Sequence, residues 1–567
     1  MTRNQRTEDE GLEQPNESSA PPPAASGIGA PLRYPVFRNV WTAGVLSNLG
    51  TQIQTVGAAW AMTQLTDSAQ LVAAVQSATA MPMMLFALVA GAMADLYDRR
   101  RVALAGLTVS LLTALLLTLL TWTGAATPAL LLIFCFVGAL GNTLYSPAWQ
   151  SSVREQVRPA DLPPAIALNS ISFNVGRSIG PAVGGAIVAV AGAAAAFLAN
   201  ALSFVPLIVA LLFWRREAPL VPGPREPLRR AVSLGIGFAL NAPAIRVVLL
   251  RVVLNAAGGG AVLALLPVVT RELLGGTALV YGLLLGGFGV GAILGALIVP
   301  SLRRRYSTEA MVRTAALVSG AMLITVGLSR YSLLTAAALV PAGACWTVAS
   351  ATFNVSVQLS APRWVSGRAV AMFQAAISGG TAIGSLFWGG VATHFGVVIA
   401  LIGAGLYLAV AQCVGLAMPL PRVGGTDEDV PDLVADPEVR VPVDGRSGPI
   451  SILIHYRIGH ANVARFRKLM SQARLSRKRN GASGWTLGRD MIDPELWIER
   501  YSFATWNDYL RFRNRPTMAE RRLLALVRSL HVGETAPRVY RTLERPTEDM
   551  APTDGAVAAP TSDWAAQ

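Results

Sequence analysis

Gly91-Ala-Met-Ala-Asp95-Leu-Tyr-Asp98-Arg99-Arg100-Arg101 ends one apolar run of this chain, and Gly295-Ala-Leu-Ile-Val-Pro-Ser-Leu-Arg303-Arg304-Arg305 ends another. The two stretches lie 204 residues apart, and each closes with a glycine, a short hairpin and three arginines. The same offset carries Gly176, Gly180 and Gly185 onto Gly380, Gly384 and Gly389. Two motifs recurring at one spacing indicate a duplicated unit. Duplicated bundles of membrane helices build many secondary carriers, because two similar halves can rock around a central site.

Composition agrees with a bilayer setting. Of 567 residues, 53% are hydrophobic and 14% charged, with a mean hydropathy of +0.47. Soluble domains carry about 25% charged residues. The net charge of +14 is almost all arginine, Lys468 and Lys478 being the lysines. A nucleic-acid partner would explain a basic chain, but these arginines cluster in loops on one predicted side, which is a topology signal. Cys135, Cys345 and Cys413 fall far apart inside apolar spans, as packing residues do, so neither a disulfide framework nor a metal site is expected. Neither a cleavable leader nor a Walker loop is visible, and no catalytic residue or cofactor is expected of the bundle.

A span needs about 20 mostly apolar residues. That rule predicts twelve: 38–63, 69–94, 102–122, 128–154, 163–190, 194–214, 244–270, 277–301, 309–328, 332–360, 366–393 and 397–419. With the amino terminus inside, Arg99–Arg101, Arg154, Arg158, Arg215, Arg216, Arg225, Arg229, Arg230, Arg303–Arg305, Arg363 and Arg368 are cytoplasmic. The opposite side keeps Arg271 and Arg330. The expected organisation is a disordered tail (1–34), a six-helix half (35–214), a cytoplasmic loop (215–243), a second six-helix half (244–420) and a linker (421–448). A soluble domain (449–546) and a disordered end (547–567) follow. In that domain Ile450–Ile458 alternates as a strand and Asn462–Arg479 carries an apolar helical stripe. Trp485–Arg489 and Leu496–Phe503 flank a turn, a helix follows Thr505, and Val539–Leu543 gives a last strand. The order β-α-β-β-α-β predicts a ferredoxin-like α+β fold beside the all-α membrane part.

The first motif resembles the loop between helices 2 and 3 of the major facilitator superfamily, G-x-x-x-D-(R/K)-x-G-R-(R/K). Gly91, Asp95, Arg99 and Arg100 match, while Leu96 and Asp98 depart from it. A small Gly91 lets a neighbouring helix approach, and Asp95 can then face a helix dipole across the half interface. The resemblance implies a cytoplasmic gate latch; a solvated loop with topology-setting arginines is the alternative. The second copy has Val299 at the acidic position. Gly176-Arg177-Ser-Ile-Gly180-Pro181-Ala-Val-Gly184-Gly185 matches G-x-x-x-G-P-x-x-G-G, which the superfamily carries in exporters of drugs and metabolites. Glycines four apart make a flat packing face and Pro181 locally frees the backbone, so gating and ordinary tight packing both fit. In the second copy Ser385 and Trp388 replace the proline and a glycine.

Arg177 lies near the middle of its span, where an arginine costs at least about 2.5 kcal/mol. Ser170, Asn174 and Arg177 share a helix face. Either Arg177 faces a cavity, as an anion contact or internal brace, or it bonds carbonyls of a neighbouring helix. Asn48, Gln52 and Thr55 form a second polar face. Asn142, Tyr145, Asn255, Asn354 and Gln374 are further cavity candidates, each of which also suits an interhelical hydrogen bond. Asp and Glu stay at span ends, as with Asp67, Glu155, Asp161, Glu272 and Glu309.

Both motifs, with Arg158-Pro-Ala-Asp161-Leu-Pro-Pro-Ala-Ile-Ala-Leu168-Asn169-Ser170, resemble the transmembrane secretion effector branch of the superfamily, related to enterobactin exporters. The match covers about Pro35 to Met418. His455-Tyr456-Arg457, Asn480-Gly481-Ala482-Ser483-Gly484-Trp485 and Arg489-Asp490 resemble a soluble domain similar to the antibiotic-biosynthesis-monooxygenase fold, a dimeric α+β barrel. The resemblance implies a multi-pass protein of the cytoplasmic membrane with both termini inside. It would export small hydrophobic or amphiphilic compounds, drugs or siderophores, by proton-coupled alternating access. The implied partners are the substrate, the bilayer and a second copy through the tail. A different class stays open: a tail that is itself a cofactor-free oxygenase, with His455, Trp485, Trp497, Trp506 and Asn507 inside its barrel. Core packing is the alternative for those five side chains.

Overall fold

The protein is described from a computed structural model covering residues 27–214, 237, 242–361, 366–420, 439, 441–513, 518–533 and 535–544. Of the tail expected to be disordered at 1–34, residues 1–26 lie outside the described residues while Ala30–Arg33 forms a short 3-10 helix; the expected disordered end at 547–567 and most of the expected loop at 215–243 and linker at 421–448 also lie outside.

The bundle runs α1 (Pro35–Leu65), α2 (Ala69–Leu96), α3 (Arg99–Trp122), α4 (Pro128–Ser152), α5 (Leu162–Phe213) and α6 (Pro243–Val268). It continues with α7 (Ala278–Arg305), α8 (Thr308–Leu328), α9 (Ser332–Leu359), α10 (Ser366–Phe395) and α11 (Val397–Ala411). Polar caps define several starts: Ser68, Asp98, Thr127 and Ser307 each accept a first-turn backbone N–H. Ten helical stretches among the described residues are long and apolar enough to cross a membrane. Two features separate that count from twelve. The stretch Pro159–Phe213 runs 55 residues and turns at Gly192, whose φ of 76° only glycine adopts without strain. And α1, at 31 residues, is diluted by the polar face of Asn48, Gln52, Gln54 and Thr55.

The repeat is visible in how the glycines pack. A Cβ on Gly176, Gly180 or Gly184 would run into Asn48, Gln52 or Ile53 of α1, so the first arm of α5 lies directly on α1. At the related positions, Gly380 and Gly384 of α10 press on Val253 and Ala257 of α6. The last glycine of each set points across the molecule instead. A Cβ on Gly185 would sit 2.6 Å from the Ala278 carbonyl of α7, and one on Gly389 would sit 2.6 Å from the Ala73 Cβ of α2. Small residues thus seal both the helix pairs inside each half and the seams between halves.

After the bundle come β1 (Ile450–Arg457), α12 (Val463–Arg479), β2 (Ser483–Arg489), β3 (Leu496–Phe503), α13 (Trp506–Arg513), α14 (Met518–Arg528) and β4 (Arg538–Leu543). The strands form one antiparallel sheet in the order β2-β3-β1-β4. After Thr505 the described residues show helical stretches α13 and α14 on either side of 514–517, which lie outside the described residues. Ile450, Ile452, Ile454 and Tyr456 point from β1 into a core with Phe466 and Met470 of α12 and Tyr501 and Phe503 of β3. Within it Glu499, fully buried, accepts hydrogen bonds from Arg477 Nε (3.1 Å), Tyr456 OH (3.0 Å) and Trp485 Nε1 (2.9 Å). A buried carboxylate is tolerated because those donors replace its water.

Candidate functional site

Between the halves lies a cavity of about 350 Å³. Its two walls differ. Gln52 and Thr55 of α1, Gln76 and Thr79 of α2, and Arg177 of α5 face it from the first half, with the Phe173 ring beside them. From the second half come Leu263, Tyr281, Leu285, Phe288 and Trp346, with Ser378 and Thr381 of α10 adding hydroxyls. Volumes of about 300–1,000 Å³ are usual for small-molecule sites. A second space of about 130 Å³ opens within the first half, lined by Gln54, Ser110, Asn142 and Asn200 and sharing Thr55 and Thr79 with the first. Asn200 donates to Gln54 there, and Ser110 donates to the Gly138 carbonyl at 3.0 Å.

Arg177 is the one cation lining the main cavity, and no carboxylate lines it among the described residues. Its guanidinium lies 5.7 Å from the centre of the Phe288 ring, across the seam. It makes no ion pair or hydrogen bond among the described residues, so the reading in which it bonds a neighbouring helix's carbonyls is not met. A cation held this way over a ring face keeps its N–H groups available to an anion.

The other sequence-derived candidates divide. Gln52 and Thr55 reach the main cavity and Asn142 the smaller one. Asn48 donates to Ser172 Oγ at 2.9 Å, tying α1 to α5. Asn174 donates to the Ser170 carbonyl of its own helix (2.8 Å), and Asn354 accepts from Gln358 (2.7 Å). Tyr145 packs with Val40, Phe204 and Leu207; Asn255 is buried in α6; Gln374 is exposed. Gln76, Thr79, Tyr281, Trp346, Ser378 and Thr381 were not anticipated. The repeat held a signal for two of them: adding the offset to Asn174 and Arg177 lands on Ser378 and Thr381.

The gating candidates also separate. Pro181 lines the cavity, and its carbonyl is 2.4 Å from where a Cβ on Gly282 would be, so it belongs to the seam. Among the described residues nothing lies within 4 Å of a Cβ built on Gly91, so none of them makes the close approach expected there. The related Gly295 makes one, against Ala344 of α9 inside the second half. The Asp95 side chain lies outside the described residues. Arg99 pairs with Glu155 (2.8 Å) and donates to the Ser151 carbonyl (3.0 Å). Arg100 donates to the Leu211 and Leu212 carbonyls (2.7 and 2.6 Å), neutralising the negative end of α5. Both arginines brace the first half.

At the opposite end the halves are joined. Arg271 donates to the Thr63 carbonyl and pairs with Asp67 at 3.0 Å, a contact between two positions related by the repeat offset of 204. The Gln70 N–H donates to Thr393 (2.9 Å), Ser77 donates to the Ala382 carbonyl (2.8 Å), and Trp60 stacks on Tyr281. The cavity is therefore roofed on the Asp67–Arg271 side.

A family model described as transmembrane secretion effector matches residues 26–547. The chain belongs to that family, within the major facilitator superfamily. This family member is 26% identical to the staphyloferrin A transporter of Staphylococcus aureus over half of this chain and 72% of that protein. It is 25% identical to the multidrug efflux pump Tap of Mycolicibacterium fortuitum, covering 67% of this chain and 95% of the pump. It is 26% identical to the enterobactin exporter EntS of Shigella boydii, covering 70% and 96%. Among solved structures the nucleoside transporter NupG superposes with a TM-score of 0.57 at 13% identity, over 68% of this chain and all of that one. A bacterial Spinster homologue in an inward-facing, occupied conformation gives 0.57 at 14%, over 68% and 97%. These structures show the transporter fold alone. The protein is a multi-pass membrane transporter related to siderophore and drug carriers.

The five tail residues considered for oxygenase chemistry do not converge on one site. His455 packs at a tilt against Tyr540 on the sheet face away from the helices, and Trp506 packs on Tyr509. Asn507 abuts Gly445, while Trp485 and Trp497 face α12.

Proposed function

We propose that this transporter exports small amphiphilic compounds bearing an acidic group, of the siderophore or drug class, across the cytoplasmic membrane by alternating access. Arg177 carries the reading: an unpaired cation in a cavity with one amide- and hydroxyl-lined wall and one aromatic wall suits a ligand with an anionic head and an apolar body. We take the two arms of α5 as separate spans and α1 as another, giving twelve. Both termini are cytoplasmic on this reading, following the arginine-rich loops. The open side is then the cytoplasmic one, and the Asp67–Arg271 contact is the outer latch. Export is driven by protons, with Asp67 and Glu272 at that latch as the carboxylates that exchange them. The tail is a ferredoxin-like unit, supported by its strand order, and pairs two chains through the sheet face carrying His455 and Tyr540.

The test is transport into everted vesicles of a fluorescent aromatic carboxylate and its uncharged ester, with and without a protonophore. Arg177→Gln is expected to slow the acid about tenfold while sparing the ester, the loss of one charge-assisted contact. The protonophore is expected to abolish both fluxes. Equal loss of acid and ester would make Arg177 a brace and remove the anionic part of the reading.

A further inference from the structure

The tail holds a second pocket, about 400 Å³, between one face of α12 and strands β2 and β3. Three arginines border it: Arg467 and Arg474, two turns apart on α12, and Arg489 at the end of β2. Trp485 and Trp497 form its walls, with Met470 and Leu487 as apolar floor. Arg474 lies over the Trp485 ring (5.7 Å) and Arg489 over Trp497 (5.5 Å).

Three observations make this a built site. No Asp or Glu lines it, and none of the three arginines is ion-paired among the described residues. Nearby Glu499 is spent on Arg477, Tyr456 and Trp485, so it does not neutralise them but holds the Trp485 indole in place. Trp497 is 8% exposed, yet its Nε1–H has no hydrogen-bond partner. That N–H is closed to solvent and, unmet, costs about 1–3 kcal/mol, so a bound acceptor would recover it by drawing the indole edge toward the pocket.

We propose that this pocket binds a small planar organic acid. The guanidinium groups receive its carboxylate, the indole walls sandwich its ring, and Trp497 donates to one of its oxygens. Arginine stacked on an aromatic face is pre-organised for a planar anion, whereas a bare phosphate or lipid headgroup would leave the walls and the Met470–Leu487 floor unused. The pocket lies in the soluble tail, separate from the bundle cavity, and its occupancy reports the concentration of such an acid on the tail's side of the membrane.

The full chain carrying Arg177→Gln, which weakens the bundle cavity's hold on acids about tenfold, is placed in phosphatidylcholine nanodiscs and titrated calorimetrically with 2-naphthoate and 2-naphthamide. Saturable binding of one naphthoate per chain is expected, weaker by about tenfold for the amide and for Arg467→Gln/Arg474→Gln. Trp497→Phe, which keeps a ring and removes the N–H, is expected to weaken naphthoate about threefold at unchanged stoichiometry. Equal binding of acid and amide, unchanged affinity in the arginine variant, or no binding would overturn the proposal. So would competitive loss of naphthoate when phosphatidylglycerol is added, since the arginines would then serve lipid headgroups. Should the double variant misfold, the amide and Trp497→Phe arms still decide.

Discussion

The two halves share one glycine scaffold and differ in what they hang on it. Gly176 and Gly380, Gly180 and Gly384, and Gly185 and Gly389 meet equivalent neighbours, within each half or across the seam. At the cavity the first half presents mainly polar groups, Gln52, Gln76, Thr79 and Arg177 beside Phe173, and the second mainly rings, Tyr281, Phe288 and Trp346 beside Ser378 and Thr381. At these three pairs the close neighbours leave no room for a side chain, so both copies keep glycine, although Trp388 stands where the first half has Gly184. Cavity positions face open space, which lets polarity diverge and makes the walls suit the two ends of an amphiphile.

The arginine-loop ends differ as well. In the second half Arg251, 3% exposed, pairs with Glu309 (2.6 Å) and donates to Gln412 (3.1 Å). Glu309 also holds Arg313 (2.7 Å) and the Leu420 N–H (3.1 Å), fastening the chain's exit from the bundle. In the first half a different pair, Arg99–Glu155, not related to it by the repeat offset, leaves its arginine more exposed. The largest expected effect therefore separates these two. Glu309→Gln leaves a buried arginine unpaired and should lower stability by about 3–5 kcal/mol, whereas Glu155→Gln should cost about 1 kcal/mol. Thermal unfolding of the purified protein measures both, and equal losses would erase the contrast.

The next effect concerns the walls. Exchanging the related pair, Arg177→Thr with Thr381→Arg, moves the cation to the other half. Arg177→Thr alone should cut transport of an acidic substrate about tenfold, and the double exchange should recover part of it if wall polarity rather than position matters. Initial rates with an acid and its ester give the answer.

Smaller effects follow at the seams. Gly185→Ala and Gly389→Ala should each cost about 1–3 kcal/mol and slow transport, because the added methyl meets a carbonyl or another methyl at the interface. Gly91→Ala, facing open space, should leave stability unchanged while slowing the opposite conformation if that helix end closes during the cycle. Melting and transport assayed on the same preparations distinguish the two behaviours. The smallest shift is expected from Asp67→Asn. Its pair with Arg271 is largely exposed and worth at most about 1 kcal/mol, so the roofed conformation should lose population only a few-fold. Distances between spin labels across that end measure it.

Much of the scaffold was legible in the sequence. Span length, the recurring glycines and the arginine loops foretold the membrane helices, and the expected break between 190 and 194 contains Gly192, where α5 turns. The places of the tail's four strands along the chain were readable from alternation and turn residues. The site was readable in part. Arg177 stood out because an arginine in mid-span is costly, and Gln52 and Thr55 because polar residues four apart share a helix face. Tyr281 and Trp346 did not stand out, since aromatic residues in apolar helices look the same whether they face lipid, core or cavity.

The sequence by itself determined which segments are helices or strands, that the bundle is a duplication, and which positions must be small. These properties arise from a residue and its near neighbours: hydropathy, periodicity, and the conformations open to glycine. The tertiary structure alone decided partnership. Among the described residues it set Gly185 against α7 while its neighbours face α1, left Gly91 open while Gly295 is filled, joined Arg251 to Glu309, and left Arg177 and the Trp497 N–H without partners. Contacts between residues so far apart in the chain depend on how completed helices and strands dock. Docking is governed by the summed shape and charge of whole faces, which no local stretch of sequence contains.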